Sequence, residues 1–277
     1  MRGINKVTNS PMLSEPITTV ASFNKPIELY VFINPLHESA FEMLATIRKL
    51  QLEYDHYFTW RFVLSSDLVS LNSISEHIGQ RLEQRVSHPV LPSLAIKAAE
   101  LQGKRAGLHF LAKLQEYIRL NVPHITSYET MMAIAEDINL DMAEFSSDFG
   151  SKEAARALQC DLYIRREMEV DETPSIVFFN ECIEDEGLNV SGTYDYNVYE
   201  HILEEMLEEQ LVRRPLPTME DLFRRFTTLS TNEIAFIYSL PLHHVERELK
   251  KRMLQQKVER KQSAKTTFWR LRATQIL

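Results

Sequence analysis

The run Ile27-Glu28-Leu29-Tyr30-Val31-Phe32-Ile33 is apolar, rich in β-branched and aromatic residues, and of strand length. Apolar positions then recur at helical spacing through Met43, Ile47, Leu50 and Tyr54. A second β-rich run follows at Thr59-Trp60-Arg61-Phe62-Val63-Leu64, closed by Ser65-Ser66-Asp67. Strand, helix and strand in so short a span form a βαβ unit. No other feature of the chain constrains its fold as much, because the crossover helix must lie on one face of the sheet that the strands begin.

After a polar stretch from Ser73 to Ser87, Pro89 and Pro92 open a helical region. Leu94, Ala98 and Leu101 share one face there, and Phe110, Leu111, Leu114 and Ile118 another, with Gly103 and Gly107 expected to separate two helices. Thr126 with Glu129, and Asp141 with Glu144, have the spacing of helix caps, and a further helix is expected from about Lys152 to Met168. Strand signals return at Thr173-Pro174-Ser175-Ile176-Val177-Phe178-Phe179, where the proline opens the run. An acidic turn at Glu184-Asp185-Glu186-Gly187 leads to Leu188-Asn189-Val190, and a helix carrying Val198, Ile202 and Met206 follows the Gly192 turn. Arg213-Arg214-Pro215-Leu216-Pro217 has the composition of a linker. Beyond it Met219, Leu222, Phe223 and Phe226 line one helix, Ser230 and Glu233 form a capping box for a second, and Pro241 opens a third through Leu242, Val245, Leu249 and Met253.

A chain of 277 residues with 44% hydrophobic content can bury a sizeable core. The net charge of −8 is uneven: Arg213 to Leu277 hold 14 Lys and Arg against 6 Asp and Glu, a balance of +8, which leaves −16 on residues 1–212. Such a tail either meets something negative, such as nucleic acid, or packs back on its own acidic body. Cys160 and Cys182 have no metal-ligand spacing and form no bridge framework. Cys160 is expected to be an inert core thiol, and no cofactor or metal is expected. The first 24 residues are polar, broken by Pro11 and Pro16, and lack the apolar core of a signal peptide. No later run reaches membrane-spanning length, so a cytoplasmic protein with a flexible N-terminal tail is expected.

Between the first strand and its helix lies Leu36-His37-Glu38-Ser39-Ala40-Phe41. A helix N-terminus lowers the pKa of a cysteine and makes it nucleophilic, yet this segment carries no sulfur and cannot perform thiol–disulfide exchange. His37, Glu38 and Ser39 are residue types of a hydrolytic triad, but side chains so close along a helix diverge and form no relay. His37 reads as a packing or contact residue rather than a base, and binding is the first use to suspect for the site.

Leu94-Ala95-Ile96-Lys97-Ala98-Ala99-Glu100-Leu101-Gln102-Gly103-Lys104, Ile134-Ala135-Glu136 with Leu140-Asp141, Thr173-Pro174-Ser175, and Val190-Ser191-Gly192 with Tyr196 and Tyr199 together resemble the DsbA branch of the thioredoxin superfamily. Asn34-Pro35-Leu36, Ala157-Leu158-Gln159-Cys160-Asp161 and Glu184-Asp185-Glu186-Gly187-Leu188 are similar to the ClpXP adaptor SpxH family. The resemblance implies an α/β, thioredoxin-like (DsbA-type) fold over residues 25–212 with an all-helical insertion at about 88–170. A small, mainly helical, helix-turn-helix-like module is expected at 217–277. It implies an adaptor without redox catalysis that binds the oxidative-stress transcription regulator Spx, and possible contact with ClpX, leading to degradation of Spx by the ClpXP protease. Thr173-Pro174 resembles the cis-proline of thioredoxins, and His37, Phe41 and Pro174 are the candidate partner-binding residues. Two departures stand out: His37 and Ala40 replace the cysteines that members often carry, and Thr19 to Lys25 show no His/Cys-rich stretch.

Two other functions compete. The basic third C-terminal helix, with Arg247, Lys250, Lys251 and Arg252, has the charge of a DNA-recognition helix, although Leu242, His243 and His244 at its start are poor readers of base edges. Ser39 invites comparison with glutathione-dependent transferases on a DsbA-like scaffold, whose serine belongs at the first helix position, where His37 is expected here.

Overall fold

The computed structural model describes residues 25–66, 87–180, 187–263 and 266–272. The expectations for the N-terminal tail, for the polar stretch from Ser73 to position 86, for the acidic turn at positions 184–186 and for Cys182 lie outside the described residues. β1 (Ile27–Ile33) runs parallel to β2 (Phe58–Leu64), and α1 (Glu38–Tyr54) crosses between them. β3 (Ser175–Phe179) pairs antiparallel with β1, and β4 (Leu188–Ser191) with β3, so the sheet order is β2-β1-β3-β4. Because strand side chains alternate, β1 serves two faces. Leu29, Val31 and Ile33 join the main core with Met43, Ile47 and Leu50 of α1, while Phe32 packs with Val63, Val170 and Val177 on the other face.

Between β2 and β3 the described residues form α2 (Leu91–Leu101), α3 (Lys104–Arg119), α4 (Tyr128–Asp137), α5 (Met142–Asp148) and α6 (Lys152–Glu167). Gly103, with φ of 128°, separates α2 from α3. Gly107 is no break: it lies inside α3, where an added Cβ would stand 3.0 Å from Cβ of Glu100, so its lack of a side chain lets the two helices approach. Asp141 caps α5 as expected, but Ser127 rather than Thr126 caps α4. A buried ion pair of 2.7 Å between Lys97 and Asp161 ties α2 to α6, and the same carboxylate accepts the N–H of Leu64 at 2.7 Å. Cys160, one position away, is exposed rather than in the core, because α6 turns Leu158, Asp161 and Leu162 inward.

α7 (Tyr196–Leu207) completes the main core with Tyr199, Ile202 and Leu203. Beyond the Pro-rich connection lie α8 (Met219–Phe226), β5 (Thr228–Ser230), α9 (Thr231–Tyr238), α10 (Leu242–Leu254), β6 (Val258–Gln262) and β7 (Thr267–Leu271). The three expected helices form, and the capping box of Ser230 and Glu233 is present. The strands were not expected: β5, β7 and β6 make a second, antiparallel sheet in that order. They escape a reading by periodicity because each spans five residues or fewer, and β6, Val-Glu-Arg-Lys-Gln, has one apolar residue.

The second core collects Leu222, Phe223, Leu229, Ile234, Ile237, Val245, Leu249, Val258 and Trp269, and it also takes Leu52 from α1. α1 is therefore buried on two sides. Arg48 pairs with the buried Glu233 of α9. Lys49 donates to the carbonyl of Phe236 at 3.0 Å and to Oγ of Ser239 at 2.9 Å, and its ammonium lies 4.4 Å from the ring centroid of Tyr196. Burial lowers the pKa of Lys49 from its ordinary value. The carboxylate of Glu233 also accepts the N–H of Ser230, so Glu233→Ala removes the partner of Arg48 and half of the capping box together. A loss of about 3–5 kcal/mol is expected in urea unfolding; a loss below about 1 kcal/mol would show that the pair does not clamp α9 to α1.

Candidate functional site

β1 delivers the chain into a turn in which Oδ1 of Asn34 accepts the N–H of Leu36 at 3.1 Å and the carbonyl of Asn34 accepts the N–H of His37 at 3.0 Å. His37 has extended backbone angles and is the N-cap of α1, so Glu38, not His37, holds the first helical position. Nδ1 of His37 accepts the N–H of Ser39 at 3.3 Å and lies 2.6 Å from Oγ of Ser39. The two side chains thus meet, contrary to the expected divergence, because a capping residue bends back over the first turn instead of continuing the helix. They still form no triad: the side chain of Glu38 is exposed and pairs at 3.5 Å with Arg119 instead of the imidazole. Ser39 is the second helical residue, which also departs from the first-position serine of the transferase comparison.

A cleft of about 300 Å³ opens at this helix start. Leu36, His37, Glu38 and Phe41 form one wall, Gln115, Ile118, Arg119 and Asn121 from the end of α3 another, and Asn232 and Thr266 from the C-terminal segment close it. The guanidinium of Arg119 sits 3.8 Å from the ring centroid of Phe41, whose edge-to-face partner is Phe268 of β7 at 6.3 Å. Phe41 is half-buried between them. Nε2 of Gln115 and Nε of Arg119 are buried and have no acceptor among the described residues. Both are donors, and an unpaired buried donor costs stability.

Of the three candidates, the structure brings His37 and Phe41 together in this cleft. Pro174 does not line it. It is buried before β3, its peptide bond with Thr173 is cis as expected, and its carbonyl accepts the N–H of Gly192 at 2.7 Å. Reading the sequence missed Gln115, Arg119, Asn232 and Thr266, which reach the cleft from α3 and from a segment whose strands carry no periodic signal.

The other end of α1 is a closed polar network. Oη of Tyr54 donates to Glu200 at 2.6 Å, Oη of Tyr196 donates to Glu53 at 2.5 Å, and Arg213 pairs with Glu200. Burial and the Glu200 carboxylate push the Tyr54 pKa up to about 12, and burial with Glu53 raises that of Tyr196 further. On α10 two of the four cations proposed for DNA are engaged locally: Arg252 pairs with Glu248 at 2.9 Å and with Glu220, and Lys250 with Glu246 at 3.4 Å. Among the described residues no helix is long and apolar enough to cross a membrane, and no group of three or more His, Cys, Asp or Glu could hold a metal ion.

The family model described as Thioredoxin matches residues 30–201. Among solved structures, a putative protein disulfide isomerase from Nitrosomonas europaea superposes with a TM-score of 0.51 at 14% identity, over 66% of this chain and 96% of that one. Alpha-DsbA1 from Wolbachia pipientis gives 0.50 at 11% identity, over 67% and 87%. These likenesses concern the fold, and they place it in the DsbA-type thioredoxin class. Among curated proteins, the ClpXP adapter protein SpxH of Bacillus licheniformis is 39% identical over 89% of both chains. That of Bacillus subtilis is 36% identical over 90% of this chain and 91% of its own. At this identity over about nine-tenths of its length, the chain belongs to the SpxH family of ClpXP adapter proteins, built on a thioredoxin fold.

Proposed function

We propose that this chain is a cytoplasmic, non-catalytic adaptor that binds the transcription regulator Spx and promotes its degradation by the ClpXP protease. The observation that carries the reading is the 36–39% identity to the SpxH adapters across about nine-tenths of each chain. The C-terminal segment supplies Asn232 and Thr266 to the cleft. A helix start without cysteine has no use in disulfide exchange, whereas apolar Leu36 and Phe41 facing the polar Gln115, Asn121 and Asn232 suit an extended client segment. His37 and Phe41 are the contact residues of this reading, and Pro174 supports the strand beside them. Binding acts by population shift: an adaptor that holds Spx with its terminal tail exposed favours the state a protease unfoldase engages. ClpX itself is a second partner in this reading. Nucleic acid, membrane and cofactors have no part in it.

Purified Spx and ClpXP, followed with and without this protein at physiological salt, test the proposal. Acceleration of Spx loss at sub-stoichiometric adaptor is expected. No acceleration, with an established adaptor working in parallel, would reject it, and glutathione conjugation or insulin reduction by the purified chain would favour an enzyme. His37→Asp tests the site, because aspartate is a good N-cap and keeps α1 intact. Unfolding should change by no more than about 0.5 kcal/mol, while Spx affinity falls at least tenfold. Unimpaired Spx binding by both His37→Asp and Pro174→Ala would move the interface away from this face.

A further inference from the structure

A second cleft, of about 500 Å³, lies where α1, the first half of α3 and the end of α8 meet. Its charged lining has one sign. Arg48, Arg105, Arg224, Arg225 and His109 border it, and no Asp or Glu does, in a chain whose net charge is −8. Part of this has a local explanation. Arg48 pairs with Glu233, Arg224 pairs with Asp221 at 2.6 Å, and Arg224 and Arg225 end α8, where the helix dipole favours cations.

Arg105 has no such explanation. With Lys104 it occupies the first turn of α3, the positive end of the dipole, behind Gly103, which offers no side-chain cap, and without an acidic residue in that turn. α4, α5 and α6 each begin with a side-chain cap and a glutamate. Neither Arg105 nor Arg225 has a carboxylate partner among the described residues, and the guanidinium of Arg225 lies 5.6 Å from the ring of Phe226. Burial, and after it Arg105 and Arg48, hold the pKa of His109 below the ordinary value. Half-buried Trp60 and Phe226 add aromatic surface to the lining.

We infer that this cleft binds a compact polyanion carried on a flat ring, of the nucleoside di- or triphosphate class. The guanidinium forks of Arg105 and Arg225 take phosphate oxygens in paired hydrogen bonds, and Trp60 and Phe226 supply surface for the ring. The volume is that of a small-molecule site rather than a flat docking face. This inference stands on the cleft alone and does not rest on the adaptor reading.

Calorimetry of the full-length protein at constant physiological ionic strength, with ADP, inorganic pyrophosphate and adenosine as separate probes, tests it. Tryptophan emission locates the ligand, because Trp60 lines the cleft and the other tryptophan, Trp269, is buried in the second core. Saturable binding of one ADP with a change in emission is expected, pyrophosphate binding more weakly and adenosine not at all. The Arg105→Ala/Arg225→Ala variant breaks no ion pair and should weaken ADP binding at least tenfold without lowering the temperature of thermal unfolding. Arg105→Ala alone, which relieves an unfavourable helix end, should weaken it at least threefold. Absence of saturable binding by ADP and pyrophosphate, unchanged affinity in both variants, or capture of an oligoglutamate peptide where ADP fails would overturn the inference.

Discussion

Two adjacent cations on α1, Arg48 and Lys49, hold the two cores of this molecule in one arrangement. A helix that lays one side on a sheet normally leaves the opposite side to water. Here that side carries two long basic residues and Leu52, and all three are covered by the C-terminal segment. Withdrawing a cation from water costs several kcal/mol and is offset only when its partners are all in place. Arg48 has Glu233, and Lys49 has a carbonyl, a hydroxyl and two aromatic rings. Those partners have direction, which apolar contact with Leu52 lacks, so they set how α9 sits on α1. The position of β7 and Phe268 against Phe41 follows from that placement.

The uneven charge of the chain finds its resolution in the same contacts. Arg213 and Arg214 turn back to Glu200 and Asp55, and Lys261 reaches the buried Glu116 of α3. Other cations stay within their own segment, Arg252 and Lys257 at Glu220 and Arg270 at Glu259. Of the two destinations open to a basic tail, packing on its acidic body accounts for the first group, and internal pairing accounts for the second. On α10, Arg252 is drawn to Glu220 and Glu248, while Arg247, Lys250 and Lys251 stay exposed.

The first half of the fold was legible because its signals are long. The runs at 27–33 and 175–179, and the helix through Met43, Ile47 and Leu50, each repeat a period often enough to be read, and Asp141 and Ser230 announce their helices by capping chemistry. What was illegible was short or depended on contact at a distance. β6 has no alternation, Gly107 looks like a break until Glu100 is seen against it, and Cys160 differs from its core neighbours by one step of helical phase. The candidate cleft was half legible. His37 announces itself by standing where a thiol would, with Phe41 one turn further on, while Arg119 and Asn232 become neighbours of that position only after α3 and α9 have packed.

Leu52 belongs to one core by sequence and to the other by contact, and this binds the fates of the two parts. A chain cut after the linker would leave Leu52, Arg48 and Lys49 on a bare helix surface and strip Asn232 and Thr266 from the cleft. The shorter product would be a stickier, differently charged protein rather than the N-terminal part alone. Neither part presents a finished surface without the other.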